Sequence, residues 1–218
     1  MMEFNDEFDA IKIDVSKEYS DLIDHVFVYG LRESIRGAKF PMSVGGHPNF
    51  DLTDGVKSLA RTAIGHAHDQ WLSGVTIQFD LTFTIKAWTE LERYRFIYFI
   101  SSQSTMHRIS RFDIENQVDE HVDHRILDVV KELVEKYNSE EDAEKKKEAY
   151  LNLLMSVPVG LKLKARLTTN YRELKTVVTQ RWNHRLPEWR KLCRFFMSLP
   201  SIDLIFDKDF IEQVKLTN

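Results

Sequence analysis

The stretch Leu161–Arg181, LKLKARLTTNYRELKTVVTQR, changes its period halfway along. In its first half Leu161, Leu163, Ala165 and Leu167 alternate with Lys162, Lys164, Arg166 and Thr168, the two-residue repeat of a strand with one face on a core. From Asn170 onward the apolar residues fall at Leu174, Val177 and Val178, the three-and-four spacing of a helix. The junction NYRE reads as a helix start. Asn170 is placed to accept from an early backbone N–H, and Glu173 stands at the third helical position. A strand that runs directly into a capped helix predicts a chain that mixes the two kinds of element closely.

Working outward, Val75, Ile77, Phe79, Leu81, Phe83 and Ile85 alternate without a break against polar residues, which predicts a long half-buried strand. Ile126, Val129, Val130, Leu133, Val134 and Tyr137 fall on one helical stripe. SEEDAEKKKEAYLNLLM then reads as a polar turn feeding a second helix, with Glu140 to Glu148 as a solvated face. Beyond the opening stretch, Pro187 suits the first turn of a core-facing helix running from Glu188 to Ser198. Cys193 lies at helical spacing from Trp189, Leu192 and Phe196, which predicts a buried structural thiol. A lone cysteine excludes an intramolecular disulfide framework and a multi-cysteine metal centre.

The 218 residues, 43% hydrophobic and 29% charged, suit a single domain spanning 1–218. No run approaches the length of a membrane span, and the start MMEFNDEFDAIKIDV is acidic and unlike a secretory signal, so the expectation is a soluble, cytoplasmic protein. Charge is segregated. Between Ser156 and Phe196 ten Lys and Arg face only Glu173 and Glu188, and between Arg93 and Arg111 four arginines (Arg93, Arg95, Arg108, Arg111) meet no acid, while the whole chain carries a net charge of -4. Such islands fit an anion held between them, or a solvated basic face. On the helix after Asn170, the stripe of Leu174, Val177 and Val178 continues to Arg181. An inward guanidinium needs a carboxylate such as Glu188, an exit to water, or an anionic or carbonyl-rich ligand.

Other sites are thin. DEHVDHR offers Asp119, His121, Asp123 and His124, but no second cluster completes a metal site, and the stretch opens an amphipathic helix; no metal is expected. Glycine-rich phosphate loops, G-x-S-x-G and H-E-x-x-H are absent from the sequence.

In order and spacing the basic islands resemble the flavin-dependent thymidylate synthase family, over roughly residues 60 to 198. GHAH supplies His68 ahead of the long strand, and RYR (Arg93, Tyr94, Arg95) stands where that family has R-H-R. The next motif, S-x-R, is displaced by three residues, with Met106, His107 and Arg108 in its place. Pro158 is followed after twelve residues by Asn170, with Arg172 and Leu174 completing N-x-R-x-L, and Arg181 lies eleven residues beyond Asn170. PEWR is only loosely similar to the family's A-Q-x-E-I-R, and the arginine found just before the proline in nucleotide-binding members is missing from YLNLLMSVP.

The resemblance implies an α+β fold with a central antiparallel sheet and packed helices, assembled as a homotetramer with sites between subunits. It implies transfer of a one-carbon unit from methylenetetrahydrofolate to carbon 5 of dUMP, with FAD as cofactor and NADPH as reductant. By the same resemblance His68, Arg93, Tyr94, Arg95, Asn170, Arg172 and Arg185 would hold FAD. Ser101, Ser102, Gln103, Ser104, His107 and Arg108 would form the substrate turn, and Arg181 would grip the pyrimidine and act in catalysis without a cysteine nucleophile. The altered turn leaves open a relative that modifies another pyrimidine nucleotide, for example by hydroxymethylation. A non-catalytic nucleic-acid-binding module is the remaining alternative, weakened by the net charge of -4.

Overall fold

The computed structural model describes residues 3–5, 9–207, 209, 210 and 212. Its elements in chain order are β1 Glu3–Asn5, β2 Ala10–Ile13, β3 Ile23–Tyr29, α1 Leu31–Gly37, α2 Asp54–Arg61, β4 Thr76–Thr84, α3 Ile85–Leu91, β5 Tyr98–Ser102, α4 Thr105–Arg108, α5 His124–Ser139, α6 Ala143–Met155, β6 Lys162–Asn170, α7 Tyr171–Arg181 and α8 Pro187–Phe196. Among the described residues the strands form one six-stranded sheet in the order β1-β2-β3-β4-β6-β5. The β1–β2, β2–β3 and β3–β4 pairs are antiparallel, and the register shifts between Asp24 and Phe27 on β3. The architecture is the expected α+β arrangement around an antiparallel sheet.

The two strands read from sequence are where the alternation puts them. On β4, Ile77, Phe79, Leu81 and Phe83 are buried while Thr76, Gln78, Asp80 and Thr82 are partly exposed. On β6, Ala165 and Leu167 are buried and the strand passes directly into α7, with Asn170 Oδ1 accepting from the Glu173 backbone N–H at 3.0 Å. Pro187 opens α8, which buries Trp189, Leu192, Cys193, Phe195 and Phe196.

Chain contacts divide the molecule into two compact units: Met1–Leu81, Tyr94–Ile100 and Arg166–Asn218 form one, Thr82–Arg93 and Ser101–Ala165 the other. In the first, β4 and α8 share a core in which the Phe79 and Phe196 rings meet edge to face at 5.8 Å. Here α1 also approaches a 3-10 turn, Gln70–Gly74, very closely. Gly30 has φ +72°, and a Cβ on it would lie 2.7 Å from the Gly74 carbonyl oxygen, while a Cβ on Gly74 would lie 2.5 Å from Ser34 Oγ. Two glycines therefore permit the approach that seats this turn.

The second unit has its own core of Ile109, Ile114, Val130, Leu153 and Leu161, with Leu127, Leu133 and Val134 against it. Here the expected stripe on α5 is only half used. Val130 is buried, but Ile126 and Val129 are 45% and 51% exposed. The helix rolls so that Leu127, Val130, Leu133 and Val134 meet the small core, too narrow to cover a full stripe.

Truncating Phe79 to Ala should cost about 3–5 kcal/mol, because the ring is buried from solvent and its loss leaves a cavity beside Phe196. Urea unfolding measures this; a change below about 1 kcal/mol would contradict the core assignment.

Candidate functional site

In the first unit, one buried carboxylate organises the surroundings of α7. Asp69, 1% exposed, precedes the Gln70–Gly74 turn; its Oδ1 accepts from Arg172 Nε at 3.0 Å and its Oδ2 from Lys175 Nζ at 3.1 Å. Lys175, itself buried, also donates to the Ala60 carbonyl at 2.9 Å and to the Thr62 carbonyl, so all three of its protons are used. Arg172 Nη1 donates to Gln70 Oε1 at 2.7 Å. The start of α7 is thus tied by charge to the segment that ends α2 and begins the turn.

These groups border a cavity of about 560 Å3. Asn170, Arg172, Glu173 and Gln70 supply its polar wall, and Ile64 and Phe96 an apolar one. That volume and mixture are typical of a site for a mid-sized organic ligand. Arg172 spends Nε and Nη1 on protein partners, and Nη2 takes none among the described residues, so a charged donor remains for a ligand. Glu173 is 8% exposed, and burial raises its pKa, opposed by the charge of Arg172.

Arg181 lies at the other end of α7. Its Nε donates to Tyr94 Oη at 2.8 Å, and its guanidinium sits over the rings of Tyr94 and Trp189, 5.5 and 5.0 Å from their centroids. Tyr94 is buried, and its hydroxyl donates to Gln180 Oε1 at 3.0 Å. The inward arginine is thus accommodated by aromatic faces and a phenol oxygen. Tyr94, standing where the family motif has histidine, orients Arg181 and does not border the 560 Å3 cavity. Burial raises the Tyr94 pKa, opposed by the hydrogen bond from Arg181. Burial also pushes the Cys193 thiol up to about 12, so the sulfur stays protonated and inert.

The remaining predicted residues are dispersed. His68 is exposed in the turn immediately before Asp69, Arg93 and Arg95 are exposed on either side of Tyr94, and Arg185 is exposed with its carbonyl accepting from Arg190 Nη1 at 3.0 Å. In the second unit Ser101 and Ser102 are exposed on β5, and Ser104 caps the start of α4 without a side-chain bond. Gln103 spends its backbone N–H and its side-chain oxygen on Lys164, both at 2.9 Å. His107 and Arg108 border a separate cavity of about 840 Å3 with Arg111, Tyr137, Lys147 and Tyr150. Tyr150 Oη donates to the Met106 carbonyl at 2.6 Å and holds this turn.

Sequence reading missed Asp69, although it adjoins His68, because nothing local marks an aspartate as buried; its partners lie 103 and 106 residues away. The DEHVDHR segment pairs its own charges. Asp119 bonds His121 at 2.8 Å, and Asp123 takes Arg125 at 2.7 Å, a contact that lowers its pKa to about 2. A different trio, Asp24, His25 and Asp80, brings its donor atoms within 4.8 Å of one another, with Arg166 Nη1 on Asp80 at 3.0 Å supplying the countercharge.

The mixed sheet-and-helix fold is one that known structures share. A crystal structure of the flavin-dependent thymidylate synthase ThyX from Helicobacter pylori, complexed with FAD and dUMP, superposes with a TM-score of 0.58 at 15% identity, covering 84% of this chain and 95% of that one. A second ThyX structure from Helicobacter pylori, with FAD and dUMP, gives 0.62 at 14% identity, covering 87% and 98%. Residues 15–198 match the model of the Thy1 family, described as thymidylate synthase complementing protein, and the chain belongs to that family. No curated protein matches it in sequence.

Replacing Asp69 with Ala should destabilise the fold by about 3–5 kcal/mol, since Lys175 would be left buried without its counterion. Glu173→Gln should act oppositely. The folded Glu173 pKa lies above its unfolded value, so wild-type stability falls as pH rises through the folded pKa; the amide removes that loss. Thermal melts of the unliganded protein should therefore place Glu173→Gln above wild type at pH 7, with the gap closing toward pH 4. A lower melting temperature at pH 7 would contradict this.

Proposed function

We propose that the protein is a flavin-dependent thymidylate synthase, transferring a one-carbon unit from methylenetetrahydrofolate to carbon 5 of dUMP with FAD as cofactor and NADPH as reductant. The observation that carries the reading is the cavity at the start of α7: in a chain that belongs to the Thy1 family, Asn170 and Arg172 of the N-x-R-x-L motif border one ligand-sized space. A planar ring with a polyol and a diphosphate matches that space chemically, with Phe96 and Ile64 for the ring, Asn170 and Gln70 for hydroxyls, and Arg172 Nη2 for an anion. His68, Arg93, Arg95 and Arg185 are exposed and available to the remainder of the cofactor.

FAD, when bound, supplies the hydride-transfer chemistry that reduces the transferred carbon. Arg181 supplies a permanent positive charge whose direction is set by Tyr94 and Trp189. Carbon 5 of the pyrimidine is nucleophilic in an electron-rich, enolate-like ring, and a preoriented guanidinium stabilises the negative charge that the ring carbonyls carry before carbon 5 attacks. The protonated Cys193 takes no part, which leaves the electrostatic route. His107, Arg108 and the hydroxyls of Ser101, Ser102 and Ser104 belong to the nucleotide, with Gln103 bracing the turn through its bonds to Lys164. Tyr94 serves in this scheme by holding Arg181.

The assembly is a homotetramer with sites between subunits. Strand β5 lies at the sheet edge, and Phe96, Tyr98, Phe99 and Ile100 are 53%, 56%, 43% and 53% exposed. An aromatic edge of this kind is normally covered, and a second copy supplies the cover. Light scattering should give a multiple of the 25.7 kDa chain mass, reduced by Phe99→Lys; a wild-type mass at 25.7 kDa contradicts the assembly. The protein acts in the cytoplasm on a soluble nucleotide, and no described helix is long and apolar enough to cross a membrane.

Purified protein given FAD should acquire the flavin absorption band and, with NADPH and methylenetetrahydrofolate, convert dUMP to dTMP. Arg181→Ala should retain the flavin but lose roughly 10²–10³-fold in kcat, with Arg181→Lys restoring little, because a point charge does not replace the planar fork. Full turnover by Arg181→Ala would remove the residue from catalysis.

A further inference from the structure

Glu173 is the one acidic side chain on the α7 wall of the 560 Å3 cavity, and neither the motif nor the ionic network around Asp69 uses it. Its backbone N–H is bonded to Asn170, yet its carboxyl takes no hydrogen bond and no salt bridge among the described residues. At 8% exposure, the small surface it keeps opens into the cavity. A buried carboxyl without a partner lowers the stability of the empty protein. The charged groups facing it are Arg172 beside it on α7, Asp69 ahead of the Gln70–Gly74 turn and, more distantly, the Tyr94 phenol; Asp69 already binds both Arg172 and Lys175. No neighbour therefore supplies the donor that the carboxyl lacks.

We propose that Glu173 is a ligand-binding residue: its carboxyl accepts a hydrogen bond from a hydroxyl or a ring imide N–H of the molecule that fills this cavity, next to the group taken by Arg172. The assignment rests on the flavin reading of the cavity, and a flavin carries both kinds of donor, hydroxyls on its ribityl chain and an imide N–H on its ring. The cavity wall explains the pairing. Arg172 Nη2 offers a cation to an anionic or carbonyl group, Glu173 offers an acceptor within the same turn of helix, and Phe96 and Ile64 present apolar surface to a flat ring. An acceptor at this position also selects among ligands, because a molecule with only acceptors there would leave Glu173 desolvated and unpaired. The destabilising carboxyl is then retained for binding, a common compromise at functional sites.

The test is the affinity of the full-length protein for FAD, followed by quenching of flavin fluorescence, in wild type, Glu173→Ala and Glu173→Gln. Thermal melts without flavin check that each variant is folded. Glu173→Ala should weaken FAD binding about tenfold or more, the expected cost of losing a charge-assisted hydrogen bond. Glu173→Gln, whose amide oxygen still accepts but carries no charge, should recover part of it. Repeating the titrations with riboflavin and with lumiflavin, which keeps the imide but has no ribityl hydroxyls, identifies the donor. Loss confined to riboflavin places the contact on the chain, and loss with both places it on the ring. A folded Glu173→Ala that binds FAD as tightly as wild type overturns the assignment and leaves the flavin site intact. A wild-type protein that binds no FAD overturns the flavin reading itself.

Discussion

The buried carboxylate of Asp69 is the constraint on which the functional region depends. A carboxylate removed from water is tolerated only when its charge and lone pairs are met, and here Arg172 and Lys175, one turn apart on α7, meet them at 3.0 and 3.1 Å. The geometry fixes more than charge. Lys175 also binds the carbonyls of Ala60 and Thr62, so the end of α2, the turn from Asp69 and the first turn of α7 are held as one body. Arg172 is thereby restrained in one direction, with part of its guanidinium still available to a ligand. Preorganisation of this kind lowers the entropic cost of gripping an anion, because the side chain is ordered before the ligand arrives.

The second organising contact follows the same logic with aromatic groups. Arg181 is the last residue of α7, and its guanidinium sits over the rings of Tyr94 and Trp189, which touch each other, while the Tyr94 hydroxyl takes its Nε. A histidine at position 94 could offer a ring face and a nitrogen. The phenol offers a larger face and an oxygen that both accepts from Arg181 and donates to Gln180. The departure from the family's R-H-R motif is therefore compatible with a positioned Arg181, and Tyr94 lies off the cavity wall.

Much of this was legible in the sequence where the signal is local. The unbroken alternation from Val75 placed β4, and the period change at Asn170 placed β6, α7 and the cap between them, because side-chain direction repeats every two residues in a strand and every 3.6 in a helix. The burial of the Cys193 thiol followed from its helical spacing with Trp189, Leu192 and Phe196 on α8. What stayed hidden depends on contacts distant in sequence. Asp69 gives no local sign of burial, the phenol of Tyr94 meets Arg181 across 87 positions, and the half-exposed stripe of α5 reflects the small core it packs on. For the turn from Ser101 to Arg108 a substrate role was implied by the resemblance, and the structure adds that Gln103 is committed to Lys164 while His107 and Arg108 face a cavity of their own.

A crystal structure of the protein with FAD tests the central claim most directly. The flavin is expected in the cavity at the N-terminus of α7, within hydrogen-bonding distance of Asn170 and Arg172 and with the Asp69–Arg172–Lys175 contacts unchanged. Flavin density in the cavity beside His107, Arg108 and Tyr150, with the α7 cavity holding only water, would contradict it.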